Sequence, residues 1–171
     1  MIQEKNKKTL SPKLDVVFQA LFGEVGNERI TKAFLQEILK EKIDKIELNV
    51  NPILRRETIA ILITNEKIEK FEELKYHTEW KIFEKENKKE ILTDKLEIHI
   101  IELEKIEDNN QESNDKLLDW LYFLINPDSR RVKEKMVENE ELKEAKEKLD
   151  KITEDARMQQ LAWWREKAIY E

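Results

Sequence analysis

Residues 48–66, LNVNPILRRETIAILITNE, contain two strand-like segments of different character. The first residues of this stretch complete a run from Ile43 to Val50 that alternates apolar and polar side chains, as a half-buried strand does. Its last part, Thr58 to Thr64, is a continuous apolar run rich in β-branched residues, which is typical of a central strand covered on both faces. We therefore expect two strands, separated by a short polar segment.

Periodicity predicts further strands and helices on both sides of this stretch. The segments HTEWKIFEK (77–85) and DKLEIHIIELEKI (94–106) are strand-like, with a polar turn between them. Before the strands, residues 11–23 and 27–40 form two amphipathic helices; Ser11 and Pro12 suit the start of the first helix, and Gly23 suits its end. From about residue 113 the pattern becomes helical. The expected fold class is α/β.

Length and composition limit the possible classes of protein. With 171 residues, one domain with a helical tail is expected. We place a flexible lead at 1–10, an α/β domain at 11–110 and a helical region at 111–171. The sequence lacks cysteine, a long apolar run and a signal-peptide pattern, which indicates a cytoplasmic protein with no thiolate site and no membrane partner.

Charge bears on nucleic-acid binding. The net charge of −6 argues against a strong electrostatic hold on DNA by the whole surface. Local basic clusters remain candidate phosphate contacts, namely Arg55 with Arg56 and Arg130 with Arg131. The competing interpretation of both clusters is a solvated surface, and we expect DNA binding to be weak.

Four blocks of the sequence, in order, resemble one family. LSPKLDVVFQALFG near the start, KYHTEWKIFEKENKKEILTDKLEIHIIELEKI, DWLYFLINP and REKAIYE are similar to segments of the PD-(D/E)XK nuclease family transposases, also called Rpn-type recombination-promoting nucleases. The resemblance implies a PD-(D/E)XK-like fold and, for complete members, a magnesium-dependent DNA endonuclease associated with mobile elements and recombination.

The chain departs from that family at the opening stretch. In complete members, a hairpin that carries an aspartate and a Glu- or Gln-x-Lys follows a segment like NPILRRE, and a helix comes next. Here RRE runs directly into TIAILIT. The resemblance therefore implies an internally shortened chain with a seam near Glu57-Thr58. The expected fold is a remnant mixed sheet with two N-terminal helices and a helical C-terminal region.

Few residues remain as candidates for catalysis. Glu79 and Lys81 have the Glu-x-Lys spacing that places both side chains on one face of a strand, although the same spacing recurs by chance in a sequence with 41% charged residues. Asp15 matches the aspartate of the family's opening motif. The competing interpretation is a solvated strand face for Glu79 and Lys81, and a favourable helix-dipole position for Asp15.

These observations predict a family member without nuclease activity and without a cofactor of its own, whereas complete members use magnesium. An alternative is a non-catalytic interaction or regulatory protein that pairs with a full-length relative, and a third is a decayed gene product. If the seam removed the cover of the strand from Thr58 to Thr64, self-association is expected. If the remaining elements cover that strand, a stable monomer is expected instead.

Overall fold

The computed structural model describes residues 8–48, 58–87, 90–93, 96–106 and 115–170. The chain divides into two compact units. Residues up to 49 together with those from 113 onward form the helical unit, and residues 50–112 form the sheet unit. The boundaries expected from the sequence divide the chain differently, because they group the N-terminal helices with the strands.

The described residues contain helices and strands in mixed order, which confirms the predicted α/β class. The helices are α1 (Asp15–Phe18), which continues into a π-helical turn (Gln19–Gly23), α2 (Glu28–Leu39), α3 (Lys116–Ile125), α4 (Arg130–Lys135), α5 (Glu140–Glu154) and α6 (Ala156–Tyr170); the strands are β1 (Thr58–Thr64), β2 (His77–Trp80) and β3 (Leu96–Glu102). Short 3-10 turns lie at Glu69–Phe71 and Leu103–Lys105. Within the described part of the chain, no helix has the length and apolar content needed to cross a bilayer.

The first helix begins later than the sequence suggested. The Ser11 carbonyl accepts a hydrogen bond from the Leu14 amide at 3.2 Å, which closes a turn before the helix. The helix then starts at Asp15, so Ser11 is not its N-cap and Pro12 is not its first residue. Its predicted end at Gly23 is confirmed.

An aromatic cluster forms the centre of the helical unit. The Trp120 ring packs against Phe34 with centroids 5.5 Å apart, against Phe22 at 6.1 Å and against Phe123 at 6.3 Å. These residues come from the N-terminal and the C-terminal helices, so the two ends of the sequence share one core. Helix α3 is buried from Leu117 to Leu124; the span is apolar except for Asp119, whose carboxylate pairs with Arg131.

The strand predicted for residues 43–50 is wrong in its described part, because residues 43–48 adopt no strand. Two backbone groups in this segment form hydrogen bonds with side chains of α2 instead. Lys32 donates to the Asp44 carbonyl at 2.9 Å, and the Ile43 amide donates to Gln36 Oε1 at 3.0 Å. Residues 49 and 50, the end of that predicted strand, lie outside the described residues.

The three strands form a mixed sheet in the order β1-β3-β2. Strand β1 pairs with β3 in parallel, and β2 pairs with β3 in antiparallel orientation. The prediction that β1 is central and covered on both faces is wrong, because β1 is an edge of the described sheet. Ile59 is 46% exposed and Leu62 is 51% exposed, on opposite faces of the strand. The apolar run therefore reflects strand propensity rather than full burial.

The loop from β1 to β2 is fixed to the end of β3 by carboxylates. The Ile68 amide donates to Glu102 Oε1 at 2.6 Å, and the Lys67 amide donates to Glu104 Oε2 at 2.9 Å. The backbone of β3 also continues the pairing, since the Glu102 amide donates to the Tyr76 carbonyl at 2.8 Å. These bonds set the start of β2 and thereby the position of the side chains described next.

Candidate functional site

A group of polar side chains lies on one face of the sheet, across β2 and β3. His77 and Glu79 alternate along β2 and so share a face, and Lys81 follows directly after the strand. Glu97 and His99 are two residues apart on β3, and Glu79 lies directly opposite His99 in the register. We call these five residues the β2–β3 cluster.

Hydrogen bonds and an ion pair connect four members of the cluster. His77 Nε2 lies 2.9 Å from His99 Nδ1, and the two rings stack with centroids 5.1 Å apart. On its other side, His99 Nε2 lies 2.7 Å from Glu97 Oε1. The Lys81 ammonium lies 3.4 Å from Glu97 Oε2. The result is a continuous chain from His77 through His99 and Glu97 to Lys81.

The charge state of Glu97 determines which nitrogen of His99 carries the proton. The hydrogen bond from His99 is the main cause that lowers the pKa of Glu97; partial burial opposes this shift, and Lys81 reinforces it. An ionised carboxylate only accepts hydrogen bonds, so His99 Nε2–H is the donor. In the neutral imidazole, Nδ1 then presents a lone pair toward His77.

The cluster also contains a possible set of metal ligands. His77, Glu79 and His99 each offer one ligand atom, and these atoms lie within 4.8 Å of one another. Magnesium, which complete family members are expected to use, prefers oxygen ligands. This set has two imidazole nitrogens and one carboxylate, and the second carboxylate nearby, Glu97, is bound to His99 and Lys81. The residues therefore do not fit a magnesium site, and we derive no hydrolytic step through one.

The candidate catalytic residues lie in different units. Glu79 lies on β2 and Lys81 directly follows that strand, both in the sheet unit. Asp15 lies in the helical unit at the first residue of α1, where it is exposed and pairs with Arg165 at 2.9 Å. A catalytic role for any of the three stays a prediction.

The candidate DNA-binding arginines also differ in environment. The Arg130 side chain is 92% exposed and pairs with Glu134 at 2.7 Å. Arg131 is only 11% exposed; it pairs with Asp119 at 3.2 Å and stacks over the Tyr122 ring at 4.4 Å. Arg55 and Arg56 lie outside the described residues. These contacts give Arg131 a structural task, while Arg130 keeps a solvent-facing guanidinium.

Neither Glu97 nor His99 is among the candidate residues that the sequence alone provided. A signal was present, because Glu97-x-His99 has the same spacing as Glu79-x-Lys81 and therefore also shares a face. The sequence did not reveal that β2 and β3 are neighbours in the register that places Glu79 opposite His99. Without that register, two unrelated pairs remained instead of one cluster.

Comparison with known proteins supports a single assignment. Residues 55–171 match the family model described as PD-(D/E)XK nuclease family transposase. The match includes the three strands and the helices from α3 to α6. Neither the curated proteins nor the solved structures contain a match to this chain.

Proposed function

The chain belongs to the family of PD-(D/E)XK nuclease transposases, and we propose that it is a member that does not cleave DNA. The observation that carries the proposal is the set of contacts that the two glutamates of the β2–β3 cluster make. Hydrolysis with magnesium needs at least two carboxylates that converge on one ion. Here Glu97 is bound by His99 and Lys81, which leaves Glu79 with imidazole neighbours.

Lys81 supports the same proposal. In a nuclease of this type, a lysine beside the carboxylates assists the attacking water. Lys81 has the required spacing from Glu79, but its ammonium is 3.4 Å from Glu97 Oε2. A lysine held in an ion pair with the neighbouring strand serves sheet pairing, as an opposite-charge cross-strand pair does.

Incubation with supercoiled plasmid tests this proposal. The purified protein should leave the plasmid intact in millimolar Mg²⁺ or Mn²⁺. Glu79→Ala and Asp15→Ala variants serve as matched controls for any nicking that is observed. Cleavage that is present in the wild type and lost in either variant would contradict the proposal, whereas nicking shared by all three proteins indicates a contaminant.

We also propose that the chain is an internally shortened, Rpn-type member associated with mobile elements, with the seam near Glu57-Thr58. The proximity of that point to the start of the family match, residue 55, supports this. Insertion of the corresponding hairpin and helix from a full-length relative between these two residues should restore Mg²⁺-dependent plasmid cleavage. A folded insertion variant that stays inactive counts against the shortening.

A second candidate function is pairing with another chain, either a copy of itself or a full-length relative. The edge position of β1 favours it. Exposed apolar edge strands offer backbone hydrogen-bonding groups and side-chain surface to a second strand. Ile59 and Leu62 supply such surface on the two faces of β1. We propose that β1 is the contact segment.

Light scattering coupled to size-exclusion chromatography tests the pairing. The wild type should elute as a dimer or larger species, and Leu62→Lys should shift it toward the monomer. Leu74→Lys is the matched control, because Leu74 is also partly exposed, at 43%, but lies outside the strands. A wild type that is monomeric at high protein concentration contradicts this function.

A further inference from the structure

We propose that His77, Glu79 and His99 form a binding site for a borderline divalent transition metal of the Zn²⁺ class. This goes beyond the proposed function, because it concerns neither hydrolysis nor pairing. The three ligand atoms lie within 4.8 Å of one another on one face of the sheet. Two imidazoles and one carboxylate form a ligand set that suits zinc, and a fourth position stays open for water.

The position of the ligand atoms agrees with the size of such an ion. Tetrahedral Zn–N bonds of about 2.0–2.1 Å place two ligand nitrogens about 3.3 Å apart. His77 Nε2 and His99 Nδ1 are 2.9 Å apart, so with Nδ1 as acceptor His77 Nε2 carries the shared proton. A small outward movement, with the His77 proton moved from Nε2 to its own Nδ1, gives the ion a lone pair on each of the two facing nitrogens. Glu79 lies opposite His99 and is exposed, which leaves its side chain free to turn toward the same point.

Glu97 provides the second support. Histidines that bind metals nearly always donate their other ring N–H to a carboxylate or carbonyl, which fixes the tautomer and orients the ring. His99 Nε2 lies 2.7 Å from Glu97 Oε1. When the neutral imidazole donates to that carboxylate, Nδ1 is the unprotonated nitrogen. That nitrogen is the one that lies next to His77. Glu97 is thus a positioning residue for the site.

The rigidity of the site differs among its ligands. His99 is 1% exposed on the central strand, so its ring is held by the surrounding sheet. His77 and Glu79 are on β2. The start of this strand is fixed because the Glu102 backbone amide donates a hydrogen bond to the Tyr76 carbonyl. The His99 imidazole is therefore buried and oriented, while His77 and Glu79 are more accessible to solvent than His99. An ion can enter the site from the side of these two residues.

Titration of the full chain with ZnCl₂ in a calorimeter tests the site. The protein must carry no histidine tag, because His77 and His99 are then the only histidines present. We expect one equivalent of Zn²⁺ to bind, and we expect millimolar Mg²⁺ not to compete. With Co²⁺ as the probe, the visible spectrum should show tetrahedral or five-coordinate nitrogen and oxygen ligation.

Variants assign the binding to the cluster. His77→Ala and Glu79→Gln should each lower the affinity by more than tenfold, and Glu97→Gln should lower it by about 10–100-fold, as expected for an orienting partner. Glu72→Gln is the matched control, because Glu72 is an exposed glutamate of the same unit. Circular dichroism checks the fold of each variant, and Glu79→Gln keeps the test valid if His77→Ala does not fold. Absence of Zn²⁺ binding by the wild type, or equal affinity in a folded Glu79→Gln variant and the wild type, overturns the proposal.

Discussion

The carboxylate of Glu102 and the ammonium of Lys105 form a buried ion pair, with 2.7 Å between Oε2 and Nζ. The pair lies where β3 ends, and Lys105 also donates to the Leu74 carbonyl at 3.2 Å. Through these contacts one lysine joins the end of the central strand to the loop that leads into β2. The β2–β3 cluster therefore depends on a pair of residues outside it.

Replacement of Lys105 by methionine should destabilise the sheet unit. The variant leaves the buried Glu102 carboxylate without its cation, and removal of one partner of a buried pair typically costs about 3–5 kcal/mol in the free energy of unfolding. Hydrogen–deuterium exchange of peptides from β2 and β3, measured in increasing urea, reports the loss. Lys70→Met, at an exposed position of the same unit, is the control and should change little. Equal protection in the two variants would contradict the assigned role of Lys105.

The stability of the sheet unit should fall in acid. Burial by itself would raise the pKa of Glu102, but the Ile68 amide and Lys105 outweigh it, so the pKa of Glu102 is lowered. Its contribution is complete above the unfolded-state pKa of glutamate, about 4.3. It is lost as the pH falls through the lower, folded-state pKa, because the unfolded state binds more protons there. Stability measured from pH 7 to pH 3 should therefore decline below about 4.3.

The control for the acid prediction is Glu102→Gln. This variant has no titrating group at the site, so its decline toward low pH should be shallower than that of the wild type. Parallel curves for the two proteins would show that other carboxylates determine the acid limb.

Trp120 should contribute far more to stability than the tryptophans near the C-terminus. Trp120 is 1% exposed among Phe22, Phe34 and Phe123, so Trp120→Ala should cost about 3–5 kcal/mol by leaving a cavity. Trp163→Ala is the matched control, because Trp163 is 54% exposed and a surface substitution usually changes stability by less than about 0.5 kcal/mol. Urea unfolding followed by circular dichroism compares them. A larger loss in Trp163→Ala would place the core elsewhere.

The tryptophans also show how far the sequence predicts the helical unit. Periodicity located the main helices, because a helix that buries one face shows apolar residues at 3.6-residue spacing whatever it packs against. It did not distinguish the buried Trp120 from the half-exposed Trp163 and Trp164, because all three lie in helical segments. Helix α6 lacks a strong apolar face, so its sequence does not predict which side packs against other helices. The break before α6 falls at Asp155, whose side chain accepts from the amides of Arg157 and Met158.

The sheet was predictable in its segments but not in its order. Three of the four predicted strands form, and their residue ranges follow the alternation and the β-branched runs. Strand order depends on contacts between distant residues, which local propensity does not record. This explains both the misplacement of β1 at the centre and the failure to bring Glu97 beside Lys81. The sequence therefore predicted parts of the site, and only the strand register shows that Glu79 lies opposite His99.

DNA binding should be weak and should depend on Arg130 more than on Arg131. The net charge is −6, and the Arg131 guanidinium is committed to Asp119 and Tyr122, whereas Arg130 is exposed. Each phosphate contact contributes about −0.9 to the slope of log affinity against log salt. Arg130→Ala should therefore weaken duplex binding and reduce that slope by about one contact. Fluorescence anisotropy with a labelled duplex from 50 to 200 mM salt measures it. Arg157→Ala, another exposed arginine on a helix, is the control and should leave the slope unchanged. Tight binding at physiological salt would contradict the expected weak affinity. A slope that Arg130→Ala does not alter would mean that a surface other than α4 contacts the DNA.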